Sequence, residues 1–172
     1  MSAEDAIAAV EGEQPLDAER ETWAALNGYR EAMTYVLQLA KDPHFSYNEG
    51  FLRSLHYMMI HYHLSKHPGC WRPGPIYVRD EQNEVAYEGP DAETIPELMR
   101  ALIRSLNRED GHHVMVRAAM GHLNLVMVHP FSDGNGRMAR CLQTLILARE
   151  GILESHFCSI EEYPEEISKN TG

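Results

Sequence analysis

Cysteine is scarce in this chain. Cys70, Cys141 and Cys158 are odd in number, far apart and free of any CxxC pair, so a disulfide framework does not organise the fold and a reducing compartment is the simpler expectation. Long apolar runs are also lacking, and none approaches the roughly 18 residues of a membrane span. Positive charge is in deficit, with 15 Lys plus Arg against 26 Asp plus Glu and a formal net charge of -11. That balance argues against duplex DNA, nucleic acid generally or an anionic membrane as the partner, so any anionic ligand must be held by local charge. The opening Met1-Ser2-Ala3-Glu4-Asp5 is acidic rather than the basic region and apolar stretch of a secretion signal, which completes the expectation of a cytoplasmic protein.

No repeat, low-complexity tract or linker-like Pro/Gly stretch divides the 172 residues, and residues 1–172 are read as one domain. Hydrophobic residues at 44% and charged residues at 24% are the proportions of a folded globular chain rather than a disordered one. From Asp17, a candidate N-cap, the residues Trp23, Leu26, Met33, Val36, Leu37 and Ala40 recur at helical spacing until Asp42-Pro43, which predicts a long amphipathic helix. A second helix is expected from about Asn48 to Lys66. Ile76-Tyr77-Val78 and Val85-Ala86-Tyr87, bounded by Pro73-Gly74-Pro75 and Gly89-Pro90, read instead as a β-hairpin. Helical patterning resumes over Ile95 to Leu106, about Gly111 to Val128, and Gly134 to about Glu150. The expected fold is mainly all-α, a helical bundle carrying one hairpin. The run from Leu123 to Val128 predicts that the helix before residue 129 is buried nearly all round.

The stretch His129-Pro130-Phe131-Ser132-Asp133-Gly134-Asn135-Gly136-Arg137-Met138-Ala139-Arg140 concentrates the chemistry. A helix starting at Gly134-Asn135-Gly136 offers unpaired backbone N–H groups and the positive end of its dipole, which suits an anion. Arg137 and Arg140, three residues apart, share a helical face and can clamp a polyphosphate. Asp133 is placed to hold Mg²⁺ against the same phosphates. His129 is the candidate general base, since imidazole accepts a proton near neutral pH. Phe131 is expected to anchor the loop in the core. A Gly-Asn-Gly turn alone is also a common helix start; the joint occurrence of base, carboxylate, glycines and arginines carries the functional reading.

This stretch matches the pattern HxFx[DE]GNGRxxR and on that ground resembles the Fic family. The segments Pro73 to Arg79 and Val85 to Pro90 resemble that family's target-docking flap (residues 74–90), and Leu55-His56 and Phe157 to Tyr163 are similar to Fic sequences as well. The resemblance implies transfer of AMP from ATP, with Mg²⁺, to a Ser, Thr or Tyr hydroxyl of a target protein. It assigns His129, Asn135 and Arg137 to catalysis and Asp133 to Mg²⁺. Gly134, Asn135, Gly136, Arg137 and Arg140 bind ATP in that assignment, and Ile76, Tyr77, Val78, Val85, Ala86 and Tyr87 dock the target. The kinase-like Doc branch has Lys where this chain has Gly136, which disfavours phosphoryl transfer. No GxxxxGK[ST] of a P-loop enzyme is present.

Residues 1–15 contain Ile7-Ala8-Ala9-Val10-Glu11-Gly12, which resembles the Fic inhibitory helix [ST]xxxE[GN], with Ile7 in the Ser/Thr position. The resemblance implies that Glu11 pairs with Arg140 and restrains activity. Three alternatives stand beside AMP transfer: transfer of another nucleotide or phosphate-containing group, removal of AMP, and a non-catalytic nucleotide-binding module. A homo-oligomer is left open. The ending Lys169-Asn170-Thr171-Gly172 looks abrupt beside family members that continue, so truncation at the C-terminus is expected. The ten histidines give neither HExxH nor a finger spacing, and His56, His61, His63 and His67 are read as partly exposed or hydrogen-bonded. Cys141 and the methionines at 33, 58, 59, 99, 115, 120 and 127 are expected to fill the core.

Overall fold

The computed structural model describes residues 20–108 and 111–152. Helix α1 spans Arg20–Leu39, with Gly28, Ala32 and Val36 buried on one stripe. The small residues let it lie close to its neighbour: a Cβ on Gly28 would meet the Met59 carbonyl oxygen at 2.7 Å. Of the six apolar residues that predict the helix only Val36 is fully buried; the close-packed stripe runs through Gly28 and Ala32 instead, with Met33 and Ala40 half-buried against the core, and the candidate cap Asp17 lies outside the described residues.

Helix α2 spans Glu49–Ile60. Its N-cap is Asn48, whose Oδ1 accepts from Phe51 N–H at 2.8 Å, the bond that cap residues supply to an orphan donor. The helix ends earlier than the apolar period suggests, giving way to a 3-10 turn at Leu64–Lys66. The chain must reverse there to bring Gly69 back onto α2, where Gly69 N–H donates to His56 Nδ1 at 2.9 Å and Gly69 O accepts from Arg53 Nε at 2.7 Å. Two tertiary bonds near His56 and Arg53 thereby override a continuous helical pattern.

Strands β1 (Tyr77–Arg79) and β2 (Val85–Glu88) pair antiparallel, with Tyr77 opposite Glu88 and Val78 opposite Tyr87, and the register shifts between Val78 and Arg79. Asp80 shapes the turn by accepting from Gln82 N–H at 3.0 Å and Glu84 N–H at 2.9 Å, the local side-chain bonding that favours Asp in turns. A 3-10 turn at Ala92–Thr94 leads into α3, Ile95–Leu106, which has Pro96 in its first turn. Helices α4 (Val114–Val128) and α5 (Asn135–Arg149) follow. The fold is mostly helical with one small two-stranded sheet.

Helix α5 carries the centre of the core: Met138, Ala139, Cys141, Leu142 and Leu145 have no exposure. Burial pushes the Cys141 thiol up to about 12, so Cys141 packs as a small apolar group. Helix α4 corrects the expectation of burial all round. Ala118, Gly121 and Leu125 are buried, but Met115, Val116, Met120, Leu123 and Met127 are about half exposed. One face packs on α5 and α3, and no described element covers the other. Three methionines expected in the core therefore lie on the surface, while Met59 and Met99 are fully buried.

Candidate active site

The site is built where α4 ends and α5 begins. The last carbonyls of any helix lack intrahelical donors and must find others. Here the partners can be named one by one. Leu125 O accepts from His129 N–H at 2.9 Å, Val126 O contacts His129 Nδ1 at 3.1 Å, and Met127 O accepts from the Tyr87 hydroxyl at 2.5 Å. His129 O accepts from Arg72 Nε at 2.8 Å, and Pro130 O from Arg72 N–H at 2.8 Å.

His129 sits in the left-handed region at φ 49°, ψ 57°, which costs a non-glycine residue about 1–2 kcal/mol. Its geometry also fixes its tautomer. A carbonyl can only accept, so Nδ1 carries the proton donated to Val126 O, and in the neutral ring the lone pair therefore falls on Nε2, the arrangement a general base requires.

Beyond His129 the loop is closed by Asn135. Its Nδ2 donates to Phe131 O at 2.8 Å and its Oδ1 accepts from Phe131 N–H at 3.0 Å, and Asn135 is only 3% exposed. The side chain is committed to the loop, which leaves the backbone N–H as the group Asn135 can offer a ligand. Phe131 is fully buried, stacked on His56 with centroids 3.7 Å apart and tilted against Trp71 at 5.0 Å, so it anchors the loop as its position suggests.

Gly134 takes φ 78° as the residue before α5, a conformation that suits glycine. The first ladder bond of α5 runs from Met138 N–H to Gly134 O at 2.9 Å, so the N–H groups of Asn135, Gly136 and Arg137 lie ahead of the ladder, at the positive end of the helix. Arg137 Nη2 lies 3.7 Å from Asp133 Oδ2, and the Arg140 guanidinium stands 6.0 Å from the Tyr29 ring centroid. Gly134 N–H donates to Asp133 Oδ1 at 2.6 Å. The Asp133 carboxylate is about half exposed, and among the described residues no cluster of three metal-type ligands surrounds it. One open carboxylate beside an anion cradle suits Mg²⁺ carried in on phosphate oxygens rather than a protein cage.

The hairpin residues divide. Tyr77, Val78, Val85 and Ala86 are exposed and Ile76 is half-buried, whereas the Tyr87 hydroxyl is bound to α4. Glu11 and the segments 1–15 and 157–163 lie outside the described residues.

Two residues hold this site in ways the sequence reading did not place. His56, expected to be partly exposed or hydrogen-bonded, is hydrogen-bonded and fully buried. Since Nδ1 accepts from Gly69 N–H, Nε2 must donate to Asp133 O, at 3.0 Å. Arg72 is 3% exposed and donates to Gly74 O and Pro90 O besides His129 O. No periodicity marks an arginine between Trp71 and Pro73; only a census of the carbonyls at the end of α4 asks for such a donor.

His56 gives a pH signature. Burial pushes its pKa down from 6.5 to about 4, against the opposing bond to Asp133. The folded value lies below the unfolded one, so the stability from neutral His56 is complete above about pH 6.5 and is lost as pH falls through about 4. The shift corresponds to on the order of 3 kcal/mol. Denaturant titrations of wild type and His56→Gln at pH 7 and pH 4 should show the wild type losing more stability, by a few kcal/mol; equal losses would contradict the assignment.

The sequence model of the Fic/DOC family matches residues 46–147. A probable protein adenylyltransferase of Aquifex aeolicus is 32% identical over 77 residues, covering 45% of this chain and 24% of that protein. The protein adenylyltransferase Fic of Nematostella vectensis is 30% identical over 126 residues, covering 72% of this chain and 28% of that protein. The chain thus spans about a quarter of the length of these curated relatives. Among solved structures, a Fic domain-containing signaling protein from Bacteroides thetaiotaomicron superposes with a TM-score of 0.78 at 24% identity, over 91% of this chain and 60% of that one. That likeness concerns the fold.

Proposed function

Because this chain belongs to the Fic/DOC family, we propose that it is a protein adenylyltransferase moving AMP from ATP to a Ser, Thr or Tyr hydroxyl of a target protein. The observation that carries the reading is His129, whose Nδ1 is taken by Val126 O so that Nε2 is the nitrogen left for a substrate proton, at the end of α4 and one short loop before the N-terminus of α5. Binding a nucleotide needs the cradle but no base, so an oriented imidazole beside the cradle favours chemistry over a binding module.

In the proposed step the target oxygen attacks the α-phosphorus and its proton passes to His129 Nε2. The bond from the α-phosphorus to the bridging oxygen breaks, and pyrophosphate leaves. Backbone N–H groups of Asn135 and Gly136 hold the phosphates, with Gly134, whose own N–H is bound to Asp133, lining the turn without a side chain; Arg137 offsets their charge, and Arg140 reaches the γ-phosphate. Asp133 would hold Mg²⁺, which supplies further charge neutralisation on the phosphates. The exposed hairpin edge at Tyr77, Val78, Val85 and Ala86 would take an extended target segment as an added strand, with Ile76 beneath it.

Glu11 is proposed to restrain this reaction by pairing with Arg140 in place of the γ-phosphate. Wild type and Glu11→Gly protein incubated with α-labelled ATP test both parts. Self-labelling should rise by about tenfold or more in the variant, because Arg140 is then free for the γ-phosphate and a hydrogen bond between charged groups is worth about 1.5–3 kcal/mol. Unchanged labelling in folded, ATP-binding protein would sink the restraint, and no labelling in either would sink AMP transfer to this chain. Repeating the incubation in lysate, with site mapping, identifies the target hydroxyl.

A further inference from the structure

We propose that Arg72 is the positioning residue of the base: it holds His129 in its left-handed backbone and fastens the hairpin to the same point. A buried arginine ordinarily meets a carboxylate. Arg72 meets carbonyls instead. Its Nε donates to His129 O at 2.8 Å and its backbone N–H to Pro130 O at 2.8 Å, while Nη1 donates to Gly74 O and Nη2 to Pro90 O. Gly74 and Pro90 are the two feet of the hairpin, so one planar guanidinium ties both feet to the residue that carries the base.

Three observations give this clamp a role beyond packing. His129 occupies φ 49°, which the chain does not favour, and its carbonyl is the group Arg72 holds. Nδ1 reaches Val126 O only if the ring stays over the last turn of α4, so releasing the backbone frees the ring and its tautomer. The hairpin is joined to the same helix end a second time through Tyr87 and Met127 O. A target docked on the hairpin would therefore be held in fixed relation to Nε2, the condition for proximity to lower a barrier. Lysine cannot replace this group, because three donors on one nitrogen cannot reach carbonyls set around a planar fork.

The inference rests on the adenylyltransferase reading for its kinetic arm and not for its structural one. In ¹⁵N-labelled wild type, the His129 imidazole should show a single Nδ1–H tautomer at neutral pH. Arg72→Lys should retain helical circular dichroism and bind ATP with a KM within about threefold. It should show mixed His129 tautomers and transfer AMP at least about tenfold more slowly. A variant with the wild-type tautomer and a rate within twofold would overturn the proposal. If Arg72→Lys does not fold, a scalar coupling across the hydrogen bond from Arg72 Nε to the His129 carbonyl carbon in wild type decides, and its absence overturns the clamp. Wild type that transfers no AMP contradicts the enzymatic reading, while the imidazole spectrum still tests Arg72.

Discussion

Replacing His129 with alanine should reduce AMP transfer by about 10²–10⁴-fold, the range expected when a positioned base is removed, and leave ATP affinity within about threefold. The separation follows from where the parts reside. The base sits at the C-terminal end of α4, whereas the phosphate contacts come from the N-terminus of α5 and its arginines. Because His129 takes a left-handed backbone, alanine adds some conformational cost of its own. His129→Asn supplies the control, since asparagine tolerates that region better. Both variants should bind ATP and fail to transfer, as read by calorimetric ATP titration beside single-turnover labelling. Transfer within tenfold of wild type in the asparagine variant would mean that another group takes the proton.

Asn135→Ala should act on stability as strongly as His129→Ala acts on chemistry. The change strands two backbone groups, Phe131 N–H and Phe131 O, that Asn135 satisfies at 3.0 and 2.8 Å inside the protein. Each stranded group costs about 1–3 kcal/mol, so a combined loss of about 2–6 kcal/mol is expected. For a chain of this size that lowers the thermal midpoint by roughly 5–20 °C. The effect should reach activity as well, because Phe131 is the buried anchor between His129 and the cradle. Asn135→Asp keeps the acceptor and loses the donor, so it should fall between the two. Differential scanning calorimetry of the three proteins reads the series; a shift below about 2 °C for the alanine variant would show that the loop does not depend on this bridge.

The hydrophobic period and the turn residues made the architecture legible. Asn48 and Pro96 mark helix starts where the structure has them, and the strand-forming runs flanked by Pro and Gly became a hairpin. What the sequence concealed depends on groups distant along the chain. Helix α2 stops at Ile60 because Gly69 returns to His56 and Arg53, contacts that no local pattern encodes. The apolar residues of α4 exceed what its packed face needs, so Leu123 and Met127 read as core and stand at the surface. In the site, the motif supplied His129, Asp133, the glycines and the arginines. The motif did not disclose that Asn135 spends its side chain on Phe131, nor that His56 and Arg72, 77 and 57 residues from their partners, hold the loop from either side.

The proposed reaction at this helix junction moves the α-phosphoryl group, with its nucleoside, onto a protein hydroxyl. Parallel reactions of the protein and a lysate with ATP labelled at the α-phosphate or at the γ-phosphate, with His129→Asn as the blank, test it most directly. Protein-bound label is expected from the α position alone, absent from the blank. Label retained only from the γ position would contradict it.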